Sequence, residues 1–380
     1  VPVCKRVGGN CRSDCPRPTS GCFAAEKKCE SGDRLAYGLG QPVPVCKRVG
    51  GNFRSDCPRL TSGSFAAEKK CESGDRLAYG YVSQPHDGRL VMSVLPKEEP
   101  VSLPKVRLAE AFGTFVLVFF GCGVVHTAVL LEAQSGLWQV AIVWGLAIMF
   151  AIYAIDKISG AHINPAITFA FAAWGKLPWS RVIPYIAAQM IGAIVAATLL
   201  FLLFAGHLRA KEIEKRVTRG EPGSEVTAMC YGEYFPNPGS IATAPGPYDS
   251  IAHAELKSRV THSQAVLAEF LGTFMLACMV FVLIDAKNQG RPMANLAPVF
   301  IGLTVSALIS IIAPLTQACF NPARDLGPRI VAYYAGWGSV AIPGLSDPTW
   351  ITVYILTPIA GAIAGAGFQQ RLLSPAYPNR

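Results

Sequence analysis

Two short stretches decide the fold of this chain: Ser159-Gly160-Ala161-His162-Ile163-Asn164-Pro165-Ala166 and Gln317-Ala318-Cys319-Phe320-Asn321-Pro322-Ala323-Arg324-Asp325. We call them the first box and the second box. Each places Asn-Pro-Ala within an apolar segment. The Asn side chain brings polar atoms into that segment, and the Pro leaves a backbone carbonyl without its helical donor. One Asn-Pro-Ala box in each half of the chain indicates a specific structural role.

Both boxes are compatible with apolar surroundings if each one begins a helix. Asn then caps the helix, and Pro occupies the first turn, where no backbone N–H is needed. The sequence therefore predicts one short helix from Pro165 to Ala173 and another over about 322–334. Neither helix has the roughly 20 residues that are needed to cross a bilayer.

Long uncharged runs occupy much of the remaining chain, and 51% of its 380 residues are hydrophobic. Such runs exceed the usual length of a buried helix in a soluble protein and can span a bilayer. A polar connection over about 207–262 separates the third run from the fourth, and the fifth is expected to stop near Pro314. We predict six spanning helices, over about 106–130, 137–157, 180–206, 264–286, 293–313 and 349–371.

The two halves of this region resemble each other. The string from Leu108 to Phe115, which contains Glu110, nearly recurs from Leu267 to Phe274, which contains Glu269. The two Asn-Pro-Ala triplets are 157 residues apart, in register with these strings. Because each half has three spanning helices, the second half enters from the opposite side. The predicted fold is an all-α membrane protein with six transmembrane helices and two re-entrant half-helices, in an inverted repeat of about 106–206 and about 264–371.

The short loops indicate the orientation. The connections 131–136 and 336–348 contain no Lys or Arg. Short basic loops stay in the cytoplasm, so both termini are expected there, with the chain in a plasma or inner membrane. The basic residues on the predicted cytoplasmic side are Lys157, Lys176, Arg181, Lys287 and Arg291.

Residues 1–91 differ from the rest of the chain. Residues 1–38 recur at 43–80 with three differences: Cys11 becomes Phe53, Pro18 becomes Leu60, and Cys22 becomes Ser64. Two of the three changes remove a cysteine, which argues against a disulfide or zinc framework. The tail holds 15 Lys and Arg against 9 Asp and Glu.

Three readings of this tail stay open: a disordered basic extension, a wrongly assigned start or recent duplication, and a small cysteine-rich module. Its mixed charges and lack of a recognition module disfavour nucleic-acid binding. The chain begins with Val, and Met92 lies where the start of a membrane domain is expected. We therefore assign 1–91 to the duplicated tail and 92–380 to the membrane domain.

The chemistry of the boxes favours neutral solutes over ions. Two half-helices that meet at their N-termini place two positive dipole ends at one point, where Asn164 and Asn321 add hydrogen-bond donors. Cations are repelled there, while a neutral polar solute accepts hydrogen bonds as it crosses. Arg324 adds a fixed charge near one mouth. No nucleophile–base pair and no metal-ligand spacing appears in the membrane part, so we expect neither an enzyme nor a cofactor.

With these motifs in view, residues 106–371 resemble the major intrinsic protein family, the aquaporins and aquaglyceroporins. The similarity rests on the two boxes (Asn164, Pro165, Ala166 and Asn321, Pro322, Ala323), on Arg324 after the second box, and on the repeated Ala-Glu-x-x-Gly-Thr-Phe strings. The resemblance implies a right-handed six-helix channel that assembles as a homotetramer with one pore in each subunit.

The resemblance also implies a narrow selectivity filter formed by Trp144, Ile309, Ala318 and Arg324. Water-selective members typically have Phe and His at the first two positions, whereas Trp and Ile leave an apolar wall opposite the arginine. Such a filter suits glycerol, small polyols or urea, with some water flux. Asp325 and Arg329 also resemble the glycerol-conducting branch. Ala318 together with Ile309 instead resembles plant nodulin-type channels, so urea and metalloid acids stay open as alternatives.

Several other residues have competing interpretations. Glu110 and Glu269 either relay protons in a coupled secondary transporter or, as we favour, accept hydrogen bonds from the box backbones. His162 is expected to line the pore or pack against the facing loop. Cys319 adjoins the pore and is a possible target of mercurials. Asp325 is expected to complement the helix dipole and to pair with Arg329. A membrane scaffold with a closed pore is a third functional class.

Overall fold

The computed structural model describes residues 101–344 and 347–378 in full, together with the backbone of six short strands between residues 34 and 94. The chain divides into two units, residues 1–100 and residues 101–380. All eight cysteines of the tail lie outside the described residues. The assignment of 1–91 to a separate tail, and the three readings of its origin, therefore stay predictions.

The described strands of the first unit form two antiparallel sheets. One sheet has the order β1-β4-β5-β6, and the other is the pair β2-β3. Both β1 and β5 start with Arg-Leu-Ala-Tyr, which occurs once in each copy of the duplication. The strands are β1 Arg34–Tyr37, β2 Arg48–Val49, β3 Asn52–Phe53, β4 Phe65–Lys70, β5 Arg76–Ser83 and β6 Leu90–Val94.

In residues 101–344 and 347–378 all regular structure is helical, as predicted. The helices are α1 Leu103–Leu130, α2 Leu137–Ser159, α3 Pro165–Ala173, α4 Val182–Lys215, α5 Glu225–Ala228, α6 Gly239–Thr243, α7 Ser250–Arg259, α8 His262–Ile284, α9 Ala297–Thr316, α10 Pro322–Ala332, α11 Thr349–Ile351, α12 Thr357–Phe368 and α13 Ser374–Ala376.

Six segments are long and apolar enough to cross a membrane, which confirms the predicted number of spans. Five of them contain α1, α2, α4, α8 and α9, and the sixth runs from α11 to α13. The sixth is not one regular helix, because π-helical turns at Thr352–Leu356 and Gln369–Leu373 interrupt it. The spans are Leu103–Leu130, Leu137–Ser159, Trp179–Lys215, His262–Ile284, Ala294–Thr316 and Thr349–Ala376.

The packing repeats between the two halves. Helix α1 packs against α2 and α4, and α8 packs in the same way against α9 and α12. Helices α2 and α9 join the halves by crossing at Gly145 and Gly302, which are 157 residues apart, like the boxes. A Cβ atom on Gly145 would lie 2.6 Å from the Gly302 carbonyl oxygen, so only glycine permits this approach.

Helix α9 ends at Thr316, two residues beyond Pro314 and close to the predicted end. A proline in the last turn removes only one backbone hydrogen bond, so the helix can continue past it, and Asn237 donates to two carbonyls of this turn. The Asn237 side chain donates to the Ala313 carbonyl at 2.7 Å, and its backbone N–H donates to the Leu315 carbonyl at 3.1 Å. Tertiary contacts therefore extend the helix.

The connection predicted over 207–262 is shorter and more ordered than expected. Helix α4 continues to Lys215, and the following residues fold into α5, α6 and α7. Met229, Tyr231 and Ile241 of this segment pack around the fully buried Trp337. This apolar cluster explains why a segment rich in Pro and Gly is folded, and it positions the chain near the second box.

Candidate functional site

The two boxes meet and bind each other reciprocally. The Asn164 Nδ2 atom donates to the Phe320 carbonyl at 2.8 Å, and the Asn321 Nδ2 atom donates to the Ile163 carbonyl at 2.9 Å. Each amide therefore has one N–H left for a solute. Both side chains line the central cavity, with exposed fractions of 5% and 6%.

Each asparagine also caps its own half-helix, as predicted. Asn164 accepts from the Ala166 N–H at 2.8 Å, and Asn321 accepts from the Ala323 and Arg324 N–H groups at 3.1 and 3.3 Å. Pro165 and Pro322 follow in the first turn. The N-termini of α3 and α10 consequently face the same point, where their dipoles repel cations.

The backbone before each asparagine is strained in the same way. Ala161 and Ile163 have positive φ angles of 48° and 45°, and Ala318 and Phe320, 157 residues later, have 62° and 54°. Each such residue costs about 1–3 kcal/mol and keeps this conformation only where its surroundings hold it in place. The strained segments therefore need external hydrogen-bond partners.

Glu110 and Glu269 supply these partners. The Glu110 carboxylate accepts from the backbone N–H groups of His162 and Ile163 at 2.9 and 2.8 Å. The Glu269 carboxylate accepts from those of Cys319 and Phe320, both at 3.0 Å. The hydrogen bonds predicted from the sequence are present, and both carboxylates are fully buried behind the boxes.

All four predicted filter residues line the same cavity. Trp144, Ile309, Ala318 and Arg324 come from α2, α9, the second box and α10, and all four line one cavity of about 680 Å³. The Arg324 guanidinium lies 4.2 Å from the centre of the Trp144 ring. A buried cation–π contact of this kind contributes about 2 kcal/mol and holds the arginine in one orientation.

The same cavity is also lined by residues of both boxes. Its lining combines aliphatic side chains with box residues, among them Asn164 and Asn321. Asp156 and Lys157, which follow Trp144 by 12 and 13 residues along α2, line the cavity away from the predicted filter residues, together with Arg291. The aliphatic lining includes Leu117, Ile152, Ile167, Val280, Ile301 and Val305.

His162 and Cys319 occupy matching positions before the two asparagines. His162 lines the cavity, with Nδ1 3.2 Å from the Thr168 hydroxyl and its ring packed on Phe171. The Cys319 sulfur points to the carbonyl oxygens of Asn321 and Tyr354, at 3.4 and 3.8 Å. Both side chains are buried, and the reactivity of Cys319 stays a prediction.

Asp325 pairs with Arg329, as expected. The Arg329 Nε atom donates to both Asp325 carboxylate oxygens, at 2.9 and 2.8 Å. Both side chains are almost completely buried. Asp325 is not among the residues that line the cavity, so its described contacts are structural rather than with the solute path.

Glu233, which forms an ion pair with Arg324, was not predicted from the sequence. Its side chain is fully buried, although it lies in the connection between α4 and α8. No local pattern marks it, because its burial depends on the folding of α5 and α6 and on contacts with α10. Among the described residues no group of three or more His, Cys, Asp and Glu is arranged to hold a metal ion.

Comparison with known proteins identifies the chain's relatives. Residues 98–368 match the family model described as Major intrinsic protein. The glycerol uptake facilitator protein of Haemophilus influenzae is 34% identical over 277 residues, covering 73% of this chain and 97% of the relative. The propanediol uptake facilitator PduF of Citrobacter freundii is 36% identical over 277 residues, with 73% and 95% covered.

A solved structure shows the same fold. The aquaglyceroporin from Plasmodium falciparum aligns with 72% of this chain and 98% of its own length, with a TM-score of 0.57 and 22% sequence identity. The paired half-helices, the six spans and the family match agree with one another. The chain belongs to the major intrinsic protein family.

Proposed function

We propose that this protein is a passive channel that conducts glycerol and other small neutral solutes across the membrane, with some water flux. The observation that carries the proposal is the single cavity that contains both boxes and the filter of Trp144 and Arg324. Relatives named glycerol uptake facilitators match 271 to 277 residues of the chain.

The mixed lining of the cavity, aliphatic and polar, suits a polyol. Glycerol presents carbon-bound hydrogens along one edge and hydroxyl groups along the other. Its carbon edge packs against the aliphatic wall, which includes Ile152 and Val305, while its hydroxyl groups bond to Asn164, Asn321 and Arg324. The solute exchanges water contacts for protein contacts without a covalent step, so no enzymatic reaction is part of the proposal.

We propose that Trp144, Ile309, Ala318 and Arg324 form the selectivity filter. The Trp144 ring fixes the guanidinium on one side of the lumen, and Ile309 and Ala318 leave apolar space beside it. Arg324 and the N-termini of α3 and α10 make the path positive, which opposes cations and protons.

The assembly and orientation belong to the same proposal. We expect a homotetramer in a plasma or inner membrane with both termini in the cytoplasm. Exposed apolar side chains on the spans, including Ile183, Leu202, Leu203 and Ile311, suit contact with lipid or neighbouring subunits. Lys157, which lines the cavity away from the filter, would then face the cytoplasm.

A coupled transporter is the competing class. It needs titratable groups that face the solute, but Glu110 and Glu269 use both carboxylate oxygens on local donors. Neither residue lines the cavity. This arrangement supports the passive channel over the transporter.

Light scattering from vesicles that contain the purified protein tests the solute range. We expect faster glycerol entry than in empty vesicles, together with measurable water flux. Urea and boric acid test the nodulin-type alternative, which Ala318 and Ile309 suggested. Faster entry of boric acid or urea than of glycerol would favour that alternative, and no flux of any solute would favour the closed scaffold.

A further inference from the structure

An open groove lies on the outer surface of the membrane domain, between the N-terminal parts of α1 and α4. It has a volume of about 470 Å³ and shares none of its described lining residues with the solute cavity. Arg107 is the one charged residue in its lining, and the other lining residues are all apolar. The apolar lining includes Leu108, Ala111, Ile183, Ala187 and Ile191.

The shape of the groove follows from small residues on both helices. A Cβ atom on Gly192 would collide with the Ala111 carbonyl oxygen, so α1 and α4 touch at this point. On the N-terminal side of this contact, Ala187 and Ala188 contribute only methyl groups to the lining. The described side chains of α1 and α4 therefore leave the space unfilled.

The groove has the depth of one leaflet of a bilayer. Every lining residue belongs to the first or the third span. Trp179, an exposed aromatic residue at the start of the third span, is of the type that lies at the level of lipid headgroups. Ile183 and Ile191 follow it by about 6 and 18 Å of helix, and one leaflet of hydrocarbon is about 15 Å thick. An extended hydrocarbon chain fits this depth and this lining.

The headgroup end of the groove is positively charged. Residues 101–109 and 174–191 contain Lys105, Arg107, Lys176 and Arg181, and no Asp or Glu. The Arg107 side chain is exposed and lines the groove. A guanidinium on a long apolar stem reaches the headgroup level and binds phosphate oxygens in pairs. The charge of the groove thus complements a phosphate.

We propose that the groove binds an anionic phospholipid, with one acyl chain against the apolar lining and the headgroup phosphate on Arg107. The lipid contacts α1 and α4 together, and these helices also hold the first box. The Gln189 amide of α4 donates to the Glu110 carboxylate of α1 at 2.8 Å, and the Tyr185 hydroxyl donates to the Ser159 carbonyl at 2.7 Å. A bound lipid therefore stabilises the helix pair behind the box.

A second copy of this chain fits the groove less well, because of its charge. The short connections on the same side of the predicted topology contain Lys157, Lys176, Arg181, Lys287 and Arg291, against only two carboxylates. Of these two, Asp156 pairs with Lys157, and Asp285 accepts from Gln369 at 2.8 Å. A neighbouring copy would bring further positive charge to Arg107, whereas an anionic headgroup brings negative charge.

Titration of the purified full-length protein with lipid, followed by native mass spectrometry, tests the proposal. The probes are phosphatidylglycerol, which is anionic, and phosphatidylcholine, which has no net charge. We expect tighter binding of phosphatidylglycerol at the strongest site of each subunit. Arg107→Gln should weaken it about fivefold, as expected for one basic side chain near an anionic surface, and leave phosphatidylcholine binding unchanged.

The matched control is Lys105→Gln. Lys105 is exposed on the first turn of α1 and loses the same charge, but it does not line the groove. This control should keep the affinity for phosphatidylglycerol. Equal weakening in Arg107→Gln and Lys105→Gln would overturn the proposal, because it would show a general attraction to the basic surface, and so would an unchanged affinity in Arg107→Gln.

Filling the groove separates a lipid from a second copy. Ala187→Leu and Ala187→Trp place larger side chains in it, so both should remove the strongest phosphatidylglycerol site without changing the mass of the assembly. Loss of assembly mass with unchanged lipid binding would overturn the proposal and assign the groove to an interface between copies. Phosphatidylglycerol should also raise the midpoint of thermal unfolding more than phosphatidylcholine does, and this difference should shrink in Arg107→Gln. None of these measurements depends on glycerol conduction.

Discussion

The Arg324 guanidinium contacts the face of Trp144 and forms an ion pair with the carboxylate of Glu233. Trp144 and Arg324 were predicted as filter residues because the resemblance to the family implies them at these spacings from the boxes. Glu233 was not predictable in this way, since the connection that carries it reaches the filter only through long-range packing.

At this residue scale we predict that Trp144→Phe combined with Ile309→His lowers the ratio of glycerol to water permeability. The smaller ring and the imidazole replace apolar contact surface with a polar group, which disfavours the carbon edge of glycerol. We expect a change of about tenfold, typical of lost apolar contact in a binding pocket. Stopped-flow light scattering measures both permeabilities in the same vesicles.

The control for this variant is Trp138→Phe, because Trp138 is exposed near the start of α2 and does not line the cavity. This control should keep the original ratio. An unchanged ratio in the double variant, with protein levels equal to those of the control, would mean that the filter has been assigned to the wrong residues.

At the scale of elements, the half-helices depend on the way in which the two repeats interlock. Asn164 and Asn321 bind across the boxes, and Glu110 and Glu269 hold the strained backbone behind them. The short helices were predictable because their caps are local. The two residues by which α9 continues past Pro314 were not predictable, because Asn237, which donates to the Ala313 and Leu315 carbonyls, is distant in sequence.

The crossing of α2 and α9 provides a prediction at this scale. Gly145→Ala places a methyl group against the Gly302 carbonyl and should push the two helices apart. Overpacking of this kind costs about 1–3 kcal/mol. We expect the variant in detergent to have a lower midpoint of thermal unfolding than the unsubstituted protein. The intrinsic fluorescence of the protein reports the unfolding.

Gly206→Ala is the matched control, because a Cβ atom on Gly206 of α4 meets nothing within 4 Å. Alanine also favours helix over glycine, so this control should unfold at an equal or higher temperature. Equal midpoints for Gly145→Ala and the unsubstituted protein would show that the close approach at Gly302 is not needed for stability.

At the scale of the whole molecule, the inverted repeat explains why most of the channel fold was predictable. Few topologies of the membrane domain are compatible with an odd number of spans in each half, two matching boxes and two matching Glu strings. The folded connection over α5, α6 and α7 was not predictable, because its apolar cluster around Trp337 combines residues from distant parts of the chain.

The first unit provides a test at the same scale. The family match begins at residue 98, and the structure divides the chain at Pro100. We propose that residues 1–91 are not needed for conduction. A variant that starts at Met92 should therefore show the same glycerol permeability per incorporated protein as the full chain, whereas a large loss of flux at equal incorporation would show that the tail takes part in conduction or its control.

The central claim is that this chain is a passive glycerol channel, and glycerol entry into vesicles under imposed ion gradients tests it most directly. Permeability is measured without a gradient, with a proton gradient and with a sodium gradient, each against empty vesicles. The passive channel predicts fast glycerol entry that follows only the glycerol gradient and is the same in all three conditions. Glycerol accumulation against its own gradient, driven by protons or sodium, would contradict the claim.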